Sequence, residues 1–524
     1  MVIHSLASAL SQGVDQVLRS DETCLEVASE AEKVARYLAH NLDEREELVD
    51  LEDDVTIFTS LSPFWTSLAR SFEPNPTTSS SSRASASEDS RISLALALGK
   101  LERNLVAGLQ LFQEEAVKHE AAIRGLIFNI TTFVRIEDKR FFTLQSVLTQ
   151  LLSNIISPSS PAPGADKLTD QYLRLYLSGQ REDDVIIRLL DSRDVKTNHA
   201  TLHLLNNAIR GSRSRLELLL LEPGVRWCAK ILGRMDDWVE NHDGLFELGA
   251  SIFNTFISQS LHPRLFALLS TPSEPLTPNQ TVLLKVLDSH ISSTSTETSI
   301  PLLTSGPPTD AFLLPLFHTL STYAQFSIAQ GVDDPRLPKV FEGLILLSEG
   351  LSSMGLTLQA RKDRGENIAK KSEEDEMVGL MTDGDSEKGL VKPIVELLKS
   401  LNTFFPRLNP RTQPSESSPP EHLRPFSNLK RNLVQLLGIL CYDDISVGDQ
   451  IREYGGVELV LSMTEIDESN PYLREHALFC VRNLMLNNPS NQAIIKQMDP
   501  VGVLSDTGEV LPLPEKMKRK PESG

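Results

Sequence analysis

The sequence predicts an all-α chain of stacked helical repeats, and three observations carry that prediction. Leu leads the apolar residues while aromatics make up only 6% of the chain. Strands favour aromatic and β-branched residues, so this composition favours helices. Between five polar stretches rich in Pro, Ser or charge, apolar residues recur at helical spacing. Near the C-terminus the pattern repeats: Asp449-Gln450 and Asn491-Gln492 stand 42 residues apart, in the matching segments SVGDQIREY and PSNQAIIKQM. Units of about 40–47 residues built from two or three helices are armadillo-type repeats. The expected fold is an armadillo-like helical repeat superhelix interrupted by long disordered loop insertions. No such unit buries its apolar face alone, so each neighbour completes the core of the last.

In chain order, Val2, Ile3, Leu6, Leu10, Val14, Val17 and Leu18 share one helical face, with no basic region before them. An amphipathic helix is expected there, not a signal peptide. Residues 1–156 read as N-terminal repeats, broken by a low-complexity loop at 73–91. SPSSPAPGAD (157–166) separates them from central armadillo-like repeats at 167–360. There, Leu202, Leu205, Ala208 and Ile209 mark one helix, and Ser214 to Leu221 a short second one. EPG (222–224) is expected to stop it before a third helix, VRWCAKILGRMDDW. Residues 270–310 hold two breakers around a short apolar piece. Residues 361–425 read as a helix flanked by disordered linkers, too polar to offset the entropy of ordering. Residues 426–498 form a C-terminal helical unit and 499–524 a tail.

Four asparagines sit late in long helices: Asn129, Asn206, Asn254 and Asn483. Their amides either tie backbone between repeats or line a concave groove and hold an extended peptide. Asn206, Asn254, Asn483 and Arg482 are the candidate partner-binding residues, Arg482 because its planar fork suits a carboxylate. In the C-terminal unit, Gly455-Gly456 supplies a tight reversal between helices, where a left-handed backbone costs glycine little.

That C-terminal unit carries Gly438-Ile439-Leu440-Cys441 at a helix end, then a short helix and a glycine turn. The loop Asp467-Glu468-Ser469-Asn470-Pro471 and the helix bearing Arg482-Asn483-Leu484 follow. This order resembles the C-terminal domain of the ataxin-ten family, whose fungal members carry similar Ser/Pro-rich insertions. The resemblance implies an armadillo-like fold, a cytoplasmic location, self-association, and a role in cytokinesis through protein partners. It supplies no catalytic residues.

Net charge is −20, which argues against nucleic acid as the main partner, because phosphate binding needs a basic face. No stretch is apolar enough to span a membrane. Cys24, Cys228, Cys441 and Cys480 are dispersed, as expected of buried thiols in a reducing compartment. His199 and His203 have the spacing of a two-His metal site but lack the glutamate that zinc hydrolysis needs. A part in copper homeostasis is disfavoured, since nine Met and four Cys form no cluster. No phosphate-binding loop, nucleophile elbow or kinase signature occurs. No cofactor and no metal are expected, nor any buried convergent cluster of titratable residues. Carboxylate pairs such as Asp183-Asp184 suit helix starts, and the tail EKMKRK reads as a solvated terminus.

Ser159-Ser160-Pro161 and Ser417-Ser418-Pro419 repeat one motif. Phosphorylation of Ser160 and Ser418 by a proline-directed kinase would add charge and acceptors that suit docking of a mitotic kinase. The function expected is that of a non-enzymatic protein-binding scaffold. The alternative is a nuclear-transport adaptor, which would pair tryptophans with the asparagines; Trp65, Trp227 and Trp238 do not recur with them.

Overall fold

A computed structural model places most of the residues it describes in helices. It describes residues 6, 9–10, 12–41, 55–73, 86–157, 167–179, 184–241, 244–295, 312–331, 334–363, 381–382, 389–408, 421–498, 503–504, 510–512 and 514. The chain divides into two compact units: residues 1–270 with 278–286, and residues 271–277 with 287–524.

The first unit holds α1 (Asp21–His40), α2 (Val55–Ser71), α3 (Glu88–Val106), α4 (Gln110–Ala116), α5 (Glu120–Ile130) and α6 (Lys139–Ile156). It continues with α7 (Lys167–Leu177), α8 (Val185–Asp191), α9 (Val195–Ile209), α10 (Arg213–Leu218), α11 (Glu222–Asn241), α12 (Leu245–Ser258) and α13 (His262–Leu268). Two layers result. Helices α1, α3, α6, α9 and α12 pack side by side in one; α2, α5, α8 and α11 stack in the other. The short α4, α7 and α10 connect them, so a triplet recurs: one helix in each layer with a short connector between. From Glu88 to Lys139 and from Lys139 to Val195 the triplet advances 51 and then 56 residues, more than the 42 expected from the C-terminal pair.

Local chemistry starts α1, α3, α6 and α9 in the same way, whereas α12 begins after a left-handed Gly244 with no side-chain cap. Ser20, Ser87, Asp138 and Asp194 accept side-chain hydrogen bonds from the N–H groups of Thr23, Ser90, Arg140 and Thr197. Each satisfies a donor that the first turn leaves unpaired. Ser87 corrects one expectation: the polar loop ends there, and Glu88–Arg91 begin α3 instead of extending the loop to 91. EPG is a second correction. Glu222, Pro223 and Gly224 form the first turn of α11. Proline is tolerated there because its missing N–H had no partner. Gly224 lies so close to Leu219 that a Cβ would meet its backbone at 2.4 Å.

The unit boundary falls within α14 (Pro278–Ser295), an 18-residue helix where a short apolar piece between breakers was expected. The second unit continues with α15 (Leu313–Gln330), α16 (Leu337–Asp363) and α17 (Val391–Phe404). A 3-10 segment (Glu421–Asn428) leads into α18 (Leu429–Leu440), α19 (Ile445–Glu453), α20 (Gly456–Ser462), α21 (Leu473–Met485) and α22 (Pro489–Gln497). Helix α18 packs between α16 and α21, and α19 packs on α22. The helices expected at 446–454, 457–463, 472–487 and 489–498 stand to within two residues, the one expected over 427–443 ends three residues early at Leu440, and Gly455 turns with φ +71°. In the tail, β1 (Val503–Leu504) pairs antiparallel with β2 (Val510–Leu511), a four-residue departure from helix. All four cysteines are free and buried, and burial pushes the Cys228 thiol up to about 12. No helix among the described residues is long and apolar enough to cross a membrane.

Candidate functional site

The long-helix layer of the first unit turns its apolar sides inward and leaves one polar stripe per helix. Successive stripes are tied by side chains. Lys100 on α3 reaches Glu32 on α1 at 3.1 Å, and Asn104 donates its amide to the Ala35 carbonyl at 2.8 Å. Arg103 donates to Gln150 on α6 at 2.5 Å, and Asn154 returns a bond to the Arg103 carbonyl at 3.0 Å. Asn207 on α9 donates to Ser153 Oγ at 3.3 Å. Each bond joins positions that advance together along both helices, so α1, α3, α6 and α9 run in the same direction. Gly99 lets α3 and α6 close up: a Cβ there would stand 3.1 Å from Val147 Cγ1.

The candidate residues fall as follows. Asn206 is half-buried and donates to the Leu248 carbonyl of α12 at 3.1 Å. Asn254 is half-buried, and its Oδ1 has no hydrogen-bond partner among the described residues. Asn483 is buried in the second unit and donates to the Gly438 carbonyl at 2.8 Å. Arg482 beside it is exposed, with no ion pair among the described residues. Asn129 is buried and donates to Ala69 in the second layer. Ser160 and Ser418 lie outside the described residues. So Asn206 and Asn254 share the first unit, while Arg482 and Asn483 belong to the other.

Sequence reasoning missed Asn104, Asn154 and Asn207, the asparagines that clip consecutive long helices. A signal existed. Asn104-Leu105-Val106, Asn154-Ile155-Ile156, Asn207-Ala208-Ile209 and Asn483-Leu484-Met485 all place asparagine before two apolar residues at a helix end. The residues after the asparagine carry the repeat, whereas attention to the residues before it picked Asn129 and Asn254. The two histidines stand on the α9 stripe with rings 4.5 Å apart. Burial, then His199 and Arg210, lowers the His203 pKa. No group of three metal-ligating residues occurs among the described residues.

One expectation fails outright, because buried titratable groups do converge. Glu102 is fully buried; its Oε1 lies 2.8 Å from His119 Nδ1, and its Oε2 accepts from Trp65 Nε1 at 2.6 Å. Next to His119, Glu120 accepts from the Tyr176 hydroxyl at 3.0 Å and from Arg124 at 2.9 Å. Burial, then the Glu120 carboxylate, holds the Tyr176 phenol well above its ordinary range. A cleft of about 410 Å³ lined by Phe58, Thr59, Ser62, Pro63, Glu115, Lys118 and His119 opens beside this cluster. Trp227 likewise donates to a buried carboxylate, Asp184, at 2.7 Å. Trp65 and Trp227 thus serve acids and not asparagines.

In the second unit, burial and then Glu349 push Asp288 up to about 6. A carboxyl raised above its unfolded value binds its proton more tightly when folded. It therefore costs stability as pH rises from about 4 to 6, and the cost persists above. Asp288 is only half-buried, so solvent screening brings the effect to roughly 1 kcal/mol. Asp288→Asn is expected to flatten thermal stability between pH 4 and 7. An unchanged slope would remove Asp288 as its source.

The C-terminal loop is a latch. Asp467 Oδ1 accepts from the N–H groups of Leu408 (3.2 Å) and Ser469 (3.0 Å) and from the Ser469 hydroxyl (2.6 Å). Its Oδ2 faces the Lys430 ammonium at 3.4 Å, both side chains being almost fully buried. Lys430 also donates to the Phe405 carbonyl at 2.8 Å, and Asn470 to the Ser427 carbonyl at 2.7 Å. Burial lowers the Lys430 pKa and Asp467 opposes that. Asp, Ser and Asn are required because only short polar side chains reach back to nearby backbone.

This latch and the helices around it are what the comparisons recognise. Residues 429–513 match the spinocerebellar ataxia type 10 protein domain. The C-terminal part of the chain is thus similar to the ataxin-10 family. The ataxin-10 domain runs past α22 and takes in β1 and β2, beyond the boundary expected at 498. An ataxin-10 homologue of Kluyveromyces lactis is 43% identical over 74 residues, 14% of each chain. That of Candida albicans is 34% identical over 113 residues, 21% of this chain and 24% of its own. Human ataxin-10 is 34% identical over 77 residues, 15% of this chain and 16% of its own. The chain thus matches a quarter or less of the length of these ataxin-10 relatives. A solved circular tandem repeat protein aligns with 95% of this chain and 97% of its own at 14% identity; its TM-score of 0.23 is too low to bear on the fold.

Proposed function

We propose that this chain is an ataxin-10-like, non-enzymatic, armadillo-like scaffold of the cytoplasm that presents its long-helix layer to protein partners during cytokinesis. The clipped layer of α1, α3, α6 and α9 carries the reading. Inter-helix bonds hold a wide polar surface rigid, which lowers the ordering cost of binding. The buried Glu102 cluster is structural on this view, since both carboxylate oxygens are satisfied by protein donors. Affinity purification of the full chain from dividing cells is expected to return a reproducible set of division proteins, and deletion of the gene to delay septation. Failure of both would end the proposal.

The end of the second unit supports self-association as well. Tyr472 is 67% exposed, Leu478 49%, Phe479 46% and Leu486 45%, a run of bare apolar groups on and beside the last long helix. Phe479→Asp is expected to shift the full chain to a smaller species in sedimentation; an unchanged profile removes this face as the contact.

A further inference from the structure

We infer that the long-helix face of the first unit takes an acidic, extended protein segment. This deepens the scaffold reading and rests on it. The chain carries a net charge of −20, yet the clipped face departs from that sign. Its stripes present Arg36 on α1, Lys100 and Arg103 on α3, and Lys196 and Arg210 on α9. Of the carboxylates there, Glu32 is already shared between Lys100 at 3.1 Å and Arg36 at 3.3 Å, and Glu88 and Asp89 at the start of α3 are taken up by Arg135 and Arg140. Lys196 and Arg210 are exposed and make no ion pair among the described residues.

The asparagines give the face a second property. Asn154 and Asn207 each spend one amide N–H on the neighbouring helix, and a side-chain amide carries two. The second N–H can donate to the carbonyl of a chain laid across the helices. Asn154 and Asn207 therefore offer one donor on each of two neighbouring helices, which suits main-chain recognition of an extended segment. Cations flanking those donors select a segment with carboxylates, through contacts that steer association and weaken with salt. A duplex or single-stranded nucleic acid fits less well. Base stacking needs exposed aromatics, and the stripes offer His199 and His203 instead.

The test uses the full chain and a fluorescein-labelled (Asp-Glu)₆ peptide, followed by anisotropy at low and physiological salt. A (Ser-Gly)₆ peptide and a single-stranded DNA 12-mer serve as comparison arms. Binding of the acidic peptide is expected, at least tenfold tighter than either comparison. Lys196→Glu with Arg210→Glu is expected to weaken it tenfold or more. Both residues are exposed, so unchanged thermal unfolding separates lost contact from lost fold. Asn154→Ala with Asn207→Ala is expected to weaken it three- to tenfold. Absence of acidic-peptide binding, binding indifferent to the charge reversals, or equal binding of the DNA overturns the inference. If partners are still recovered by affinity purification in those cases, the scaffold reading survives; if they are not, both fall.

Discussion

Asp467→Ala is expected to destabilise the C-terminal helices by about 3–5 kcal/mol, the usual cost of leaving one member of a buried ion pair alone. The substitution strands Lys430 in a site where its ammonium keeps only the Phe405 carbonyl. It also removes the acceptor for Leu408, for the Ser469 N–H and for its hydroxyl. Hydrogen-exchange protection of α18, where Lys430 sits, reads the loss directly. Adding Lys430→Met to Asp467→Ala is expected to recover part of it, because an apolar side chain of similar volume leaves no charge buried. If the single variant loses less than about 1 kcal/mol, the latch is not what holds these helices.

Glu102→Ala is expected to cost about 3 kcal/mol in the first unit, since it strands two buried donors at once. Trp65 Nε1 and His119 Nδ1 both lose their acceptor, Trp65 being fully buried and His119 nearly so. Glu102→Gln is expected to lose less, because its one amide oxygen can still serve one of the two groups. Trp65 fluorescence in a urea titration follows the change. Equal stability of the alanine and glutamine variants would mean that hydrogen bonding to position 102 contributes nothing.

These two clusters differ in how far the sequence announced them. The Asp467 loop was visible as a motif, because its partner Ser469 lies two residues away and short polar side chains act locally. Its buried lysine was not visible, since Lys430 stands 37 residues away in an apolar helix. Glu102 and His119 gave no signal at all: neither lies in a recognised spacing, and the expectation of no buried titratable cluster failed there. The groove asparagines show the same divide. Their presence at helix ends was legible, but which carbonyl each amide meets depends on how the helices are set side by side. Asn483 was picked for a partner's backbone and is found buried against Gly438.

By itself the sequence determined the helical class and the run of short helices from Leu429 to Gln497. Those features depend on residues within about one turn of each other, where periodicity acts. Only the tertiary structure decided which asparagines clip neighbouring helices, why EPG opens a helix, and where the cations Lys100, Lys196 and Arg210 come to share a face. Each of those outcomes joins atoms 40 to 70 residues apart or turns on a close backbone approach such as Gly224 to Leu219. Local pattern carries no record of such distances, because the helices find their neighbours only when their apolar sides are buried together.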